Sequence, residues 1–452
     1  MFLRTIALST LLLCTALLAP AQDTPPPETE PVTIPALGQD VAPRTTRAAR
    51  VESLAAERDK IVRARFDGPT NTDVWPGAFW SAYLVGLTDE QRGLLHEMTS
   101  KELVELSDKP VDFQRALLNA VYTLLPGQQR APLVSALRGV ETPREFAMAA
   151  YAILQASSLA HMRDMIRETM RDKFPDWDRD PILLVLHDRL EINPEDAIAS
   201  RPPMVDLFAH PFKAGVPVLF SVHRLDRRQP GIALIRDAQG RFARTDTGTL
   251  FSVPHLAAAK TNLPGTITFG NSPRGIYTIR GMGRATNPFI GPTPYLWSKV
   301  PFEATVAEFL HDDTLEPNTP WALAQYLSLL PASWAGYFPM QEAFHAGRAG
   351  RSEMIIHGST MDPAPFRAQP FYPLTPTAGC LSTIELWNPE DGRLLHSDQI
   401  TLLRAFEAAG GPNGYLVVVE LDNAARPVTI LDVIEDVLEA EKRLAPVSES
   451  PS

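Results

Sequence analysis

Apolar residues recur at intervals of three and four through residues 46–200, a spacing that predicts helices. Phe113, Leu117, Val121 and Leu124 share one helical face, and Pro126-Gly127 ends that segment. Val51, Leu54, Ile61 and Val62 form another such face. Thr88-Asp-Glu-Gln91 and Thr142-Pro-Arg-Glu145 read as capping boxes. In such a box the Thr hydroxyl accepts from the amide three residues on, and the side chain there returns the bond. Pro143 suits the first helical position, where its missing N–H costs nothing. Short connections between these helices imply antiparallel packing, and no fixed repeat period marks a solenoid.

Near residue 200 the pattern changes. "SRPP" breaks the helical period, and short apolar or alternating runs follow. They predict strands at 216–225, 231–242 (with a turn at Asp237–Gly240), 248–256, 352–359 and 414–421. Two further strand-like pieces flank the Gly and Pro residues of "LPGTITFGNSPRGIYTIRG". Residues 302–350 are rich in Pro and aromatics with helical pieces, which suggests an insertion over the sheet. Residues 426–452 read as a closing helix, centred on 430–444, and a disordered tail. The expected fold is multi-domain: an all-α domain at 46–200, then a mainly-β domain at 205–425 with a helical insertion.

The first 45 residues belong to neither. Arg4, the apolar run Ile6–Leu18 and Ala19-Pro20-Ala21 have the form of a secretory signal peptide spanning 1–21. The run is too short for a comfortable bilayer span, so no membrane span is expected in the mature chain. Leu13 stands where a lipidation motif would carry a small residue before Cys14. Residues 22–45 are Pro-rich and read as a disordered or extended tether. The expected location is therefore the periplasm or cell envelope.

A formal net charge of −11 argues against a nucleic-acid partner and against adhesion to anionic lipid. His96, His161 and His187 lie in helical runs without metal-ligand spacing, so no metal or organic cofactor is implied. Cleavage after Ala21 would leave Cys380 as the single cysteine, in a compartment that favours disulfides it cannot form within the chain. It is then either a small buried apolar residue or a reactive thiol. Two neighbours favour the second reading. "IIHGST" ends a strand in His357-Gly358, and "TAGCLS" places Cys380 on a turn after Gly379.

These segments resemble the YkuD-type L,D-transpeptidases, cysteine enzymes that remodel peptidoglycan. "IHGS" supplies His357, Gly358 and Ser359; "TAGCL" supplies Thr377, Gly379, Cys380 and Leu381. "NSPRGIYTI" (271–279) looks like the family's Thr-Pro-x-Gly strand, with Ser272 in the Thr position. The resemblance covers roughly 205–425. Ala378 replaces a frequent His of the motif, and Ser382 replaces the usual Arg or Asn. The resemblance implies an exported cysteine acyltransferase acting on peptidoglycan stem peptides. Cys380 would be the nucleophile and His357 the base, the two forming a thiolate–imidazolium pair. The N–H groups of the Gly379–Cys380 turn would hold the oxyanion. Gly358, Ser359, Thr377 and Ser382 would orient the pair or bind substrate. Hydrolysis in place of transfer would make it an L,D-carboxypeptidase. A catalytically silent wall-binding module, with the helical domain as a scaffold for a protein partner, is the contrasting reading. A papain-like peptidase is disfavoured, because the Cys follows its His and no "CGSCW"-like stretch occurs.

Overall fold

The computed structural model describes residues 32–42, 44–60, 74–157 and 159–444, without the side chains of 44–50. The expected signal peptide and C-terminal tail lie outside these residues. An N-terminal helical region is followed by a sheet-rich region.

Helices α1 (Arg44–Arg58), α2 (Trp75–Val85), α3 (Asp89–Glu102), α4 (Val111–Leu124), α5 (Arg130–Gly139), α6 (Pro143–Ala156), α7 (Ala160–Lys173) and α8 (Pro181–Glu191) build the first region. Phe79, Leu95, Leu117, Val121, Phe146, Ile166 and Leu186 meet in its core. The face read on α4 is buried as its spacing requires. On α1, Leu54 is half-buried but Val51 is exposed, and Ile61 and Val62 lie outside the described residues. Thr88 does form a capping box with Gln91. Thr142 does not: its hydroxyl has no partner, and the Glu145 carboxyl that would have returned the bond to Thr142 N–H is turned to Arg115 Nε at 2.5 Å. Pro143 nevertheless occupies the first helical position.

Two short helices follow, α9 (Pro194–Ala199) and α10 (Met204–Ala209), the second of them past residue 200. α10 buries Leu207 and Phe208 against the sheet, so the helical pattern crosses the expected boundary. The strands are β1 (Val218–Arg224), β2 (Gly231–Arg236), β3 (Val253–His255), β4 (Gly275–Gly283), β5 (Tyr295–Lys299), β6 (Ile356–His357) and β7 (Leu381–Ser382). β8 (Glu385–Trp387) and β9 (Leu394–Ser397) form a separate ribbon, and β10 (Asn413–Asp422) ends the series. The sheet order is β3-β2-β1-β10-β4-β5-β6-β7. Leu256, just beyond β3, bridges Ser382 on β7, so the two ends of the sheet meet in a nearly closed barrel.

Both faces of β10 are covered, as its unbroken apolar run requires. Tyr415, Val417 and Val419 face a layer containing Phe309, Tyr326, Trp334 and Phe344 from the 302–350 insertion. Leu416 and Val418 face the opposite side with Leu402, Leu403 and Phe406 of α11 (Asp398–Ala408), the numbering here leaving aside the insertion's short helices. The closing helix α12 (Ile434–Leu444) buries Val437 and Ala440 in the first of these layers, so it is part of the sheet-rich region and not an appendage.

Residues 32–42, read as tether, are extended and docked. Ala42 N–H donates to Gly392 at 2.8 Å, and Leu394 N–H donates to Asp40 at 3.1 Å. Ala42 packs with Trp387 and Leu394. The strand expected at 352–359 is cut to Ile356–His357, because the residues before it serve a different purpose at the site.

Candidate active site

Cys380 ends a turn, Thr377-Ala378-Gly379-Cys380, that delivers the chain into β7. Thr377 Oγ1 shapes it by accepting from Gly379 N–H at 3.0 Å and donating to the Cys380 carbonyl at 2.7 Å. Gly379 has φ = +129°, which a side chain would strain. A Cβ there would also fall on Arg351 Nη2. Ser272 Oγ donates to the Gly379 carbonyl at 2.8 Å, so the 271–279 segment supports the turn directly. Ser272 is steadied in turn: its neighbour Arg274 is paired with Glu342 at 2.8 Å and Glu420 at 3.1 Å.

β6 lies beside β7 in parallel register, with His357 opposite Ser382. Leu381 N–H donates to Ile355 O at 3.0 Å, and the register sets Cys380 level with Ile355, two residues behind His357 along the strands. Among the described residues no hydrogen bond joins Cys380 to His357. The Cys380 thiol instead donates to Glu353 O at 3.4 Å. His357 Nδ1 bonds the Gly358 carbonyl, and a carbonyl can only accept. Nδ1 therefore carries the proton, and Nε2 is left with a free lone pair.

Burial pushes the half-buried thiol up to about 11, aided by the charges of Glu353 and Glu303 and opposed by the Ile355 N–H and Arg351. Burial also takes His357 down to about 4, against the pull of its bond to Gly358. The resting pair is a neutral thiol and a neutral imidazole. This differs from the thiolate–imidazolium pair expected from sequence, because desolvation penalises both charged forms. Behind His357, His255 is driven to about 3 by burial and by His357 itself. It shares Ser221 Oγ with His223 in a buried neutral network, at 2.7 and 2.6 Å.

The remaining expected residues are structural in this geometry. Ser382 is fully buried and donates to Thr375 O at 2.8 Å. Ser359 Oγ accepts from Met361 N–H at 3.1 Å and donates to Phe289 O at 3.4 Å, closing a local turn. A Cβ on Gly358 would collide with the Glu385 carboxyl. That carboxyl is buried, accepts from Ser397 Oγ at 2.9 Å, and is raised to about 8 by desolvation. Of the two turn N–H groups expected to hold an oxyanion, that of Gly379 is taken by Thr377, which leaves Cys380 N–H.

Two site residues escaped the sequence pattern. Arg351 is buried, with Nη1 on Gly265 O and Ile267 O at 2.5 and 2.6 Å and Nη2 on Gly270 O at 3.2 Å. It anchors the 263–270 loop beneath the Cys380 turn. Lys260 is half-buried, its Nζ 5.4 Å from the Trp80 ring centre and 5.7 Å from that of Phe289. The signal for Lys260 was a charge at the end of the apolar run Leu256-Ala-Ala-Ala. Nothing local marks Arg351. Among the described residues no cluster of three or more His, Cys, Asp or Glu could hold a metal ion, and no helix is long and apolar enough to cross a membrane. Compared with known proteins, the chain matches no protein-family model, no curated protein and no solved structure.

Proposed function

We propose that this protein is an exported cysteine acyltransferase of the L,D-transpeptidase type, acting on peptidoglycan stem peptides, with Cys380 as nucleophile and His357 as base. The observation that carries the reading is convergence. Three segments distant in sequence, at Ser272, His357-Gly358 and Thr377–Cys380, meet at the turn and strand pair that carry the thiol, with the histidine held in the tautomer a base needs.

In this mechanism the thiol stays protonated until substrate arrives. As sulfur attacks the carbonyl before a terminal D-amino acid, its proton passes to His357 Nε2. Cys380 N–H faces the developing oxyanion. The C–N bond then breaks, the D-amino acid leaves with the proton from His357, and a thioester remains on Cys380. An acceptor amine attacks that thioester to give a cross-link; water in its place gives the carboxypeptidase outcome. Ser382 is too buried to hold substrate, so the donor must be recognised elsewhere. The raised thiol and the missing Cys380–His357 hydrogen bond favour one competing reading, a silent wall-binding module.

Intact-mass measurement separates the two. After incubation with muropeptides or a carbapenem, the wild-type chain should gain one covalent adduct on Cys380, and Cys380→Ser should gain none. A folded wild-type protein that takes up no adduct from either reagent would sink the proposal.

A further inference from the structure

Two cations act on Cys380, and they differ in what their hydrogens do. Both terminal nitrogens of Arg351 are engaged by buried carbonyls and by Met354 Sδ. Lys260 interacts electrostatically with Cys380 and with His357, yet its ammonium makes no hydrogen bond or ion pair among the described residues. It is held only between two aromatic faces, Trp80 from α2 of the helical region and Phe289 from the loop between β4 and β5. Such faces attract a cation without using its N–H donors. Burial lowers Lys260 to about 8, as befits an ammonium with no anion beside it. Its backbone is fixed, because Lys260 N–H donates to Thr377 O at 2.8 Å, next to the nucleophile's turn.

We propose that Lys260, braced by Trp80 and Phe289, is the specificity residue that receives a substrate carboxylate next to the bond attacked by Cys380. The ligand class is a peptide ending in a free α-carboxylate. In the donor described above, that carboxylate belongs to the leaving D-amino acid, a few bonds from the scissile carbonyl. The assignment rests on the acyltransferase reading for its substrate, but not for its chemistry: an anion-receiving cation beside a thiol is testable without peptidoglycan. It also gives the helical region a part in the site, since Trp80 forms one wall of the cation's seat.

The test compares alkylation of Cys380 in the full chain by iodoacetate, which carries a carboxylate, and by neutral iodoacetamide. The iodoacetamide rate reports how much thiolate is present, so the ratio of the two rates isolates the carboxylate effect. The wild-type ratio should exceed that of a free cysteine peptide about tenfold, a difference of about 1.4 kcal/mol. Lys260→Met should bring it back to the free-thiol value, and Lys260→Arg should keep most of it. A wild-type ratio equal to that of the free peptide overturns the assignment without recourse to any variant. So does a folded Lys260→Met protein with an undiminished ratio. Absence of a carbapenem or muropeptide adduct alongside a high, Lys260-dependent ratio would reject the acyltransferase and keep the carboxylate site.

Discussion

Gly379 shows how tightly a single position is constrained here. Its left-handed backbone and the guanidinium of Arg351 behind it leave no room for a methyl group. Gly379→Ala should therefore cost more than about 2 kcal/mol, adding backbone strain to a displaced buried cation. A denaturant midpoint equal to wild type would mean the turn can be relaxed cheaply. Buried carboxyls give a second prediction. Glu385 is raised to about 8 and Glu303 to about 7, both by desolvation. In the unfolded chain each titrates near the ordinary glutamate value. From about pH 5 upward the native state therefore holds protons that the unfolded state has released. The contribution is whole below the unfolded value and is lost as pH rises through about 7 and 8. Stability should fall from about pH 5 to about pH 8, by at most about 1.4 kcal/mol per pH unit for each retained proton, and level off once both carboxyls are ionised in the native state too. Glu385→Gln, which mimics the protonated carboxyl, should flatten that slope in urea titrations run across the range. An unchanged slope would mean Glu385 ionises freely in the fold.

At the scale of elements, the two Thr-Glx motifs of the helical region make a controlled pair. Thr88 caps α3 through Gln91 in both directions, at 3.2 and 2.9 Å. Thr88→Ala should cost about 1 kcal/mol. The Thr142 hydroxyl is buried without a partner, so the isosteric Thr142→Val should be neutral or stabilising. Equal losses at both positions in thermal melts would contradict the assignment. The same comparison marks where sequence reading succeeds. The spacing of apolar residues found α4 by its buried face, and continuous apolar runs found β1, β2 and β10, which are buried on both faces. Sequence reading overestimated the strand around His357, since Arg351 to Ile355 carry the loop anchor and the thiol's partners, which no periodicity encodes. The nucleophile's neighbourhood was legible from His, Gly and Cys at telling positions. Lys260 and Arg351 were not, because their partners are carbonyls and ring faces contributed by remote segments.

At the scale of the molecule, the two regions share more than a covalent link. Leu263 and Ile267, on the loop gripped by Arg351, are buried in the core of the helical region, and Trp80 of that region lies 5.3 Å from Phe269. The helical region is thus part of the floor and wall of the site. The meeting of the sheet's two ends has a temporal side. Leu256 with Ser382, and Ala259 with Thr377, are contacts between segments far apart in the chain. Loop-closure entropy delays such contacts, whereas helices form from near neighbours. During refolding from urea, protection of Cys380 from pulsed alkylation should lag behind recovery of the far-ultraviolet helical signal. Simultaneous recovery would place sheet closure early. A late closure leaves an interval in which Cys380 is an ordinary, unshielded cysteine, open to oxidants and to mixed disulfides with other chains. The speed at which the sheet closes then sets how long newly made protein is exposed to that damage.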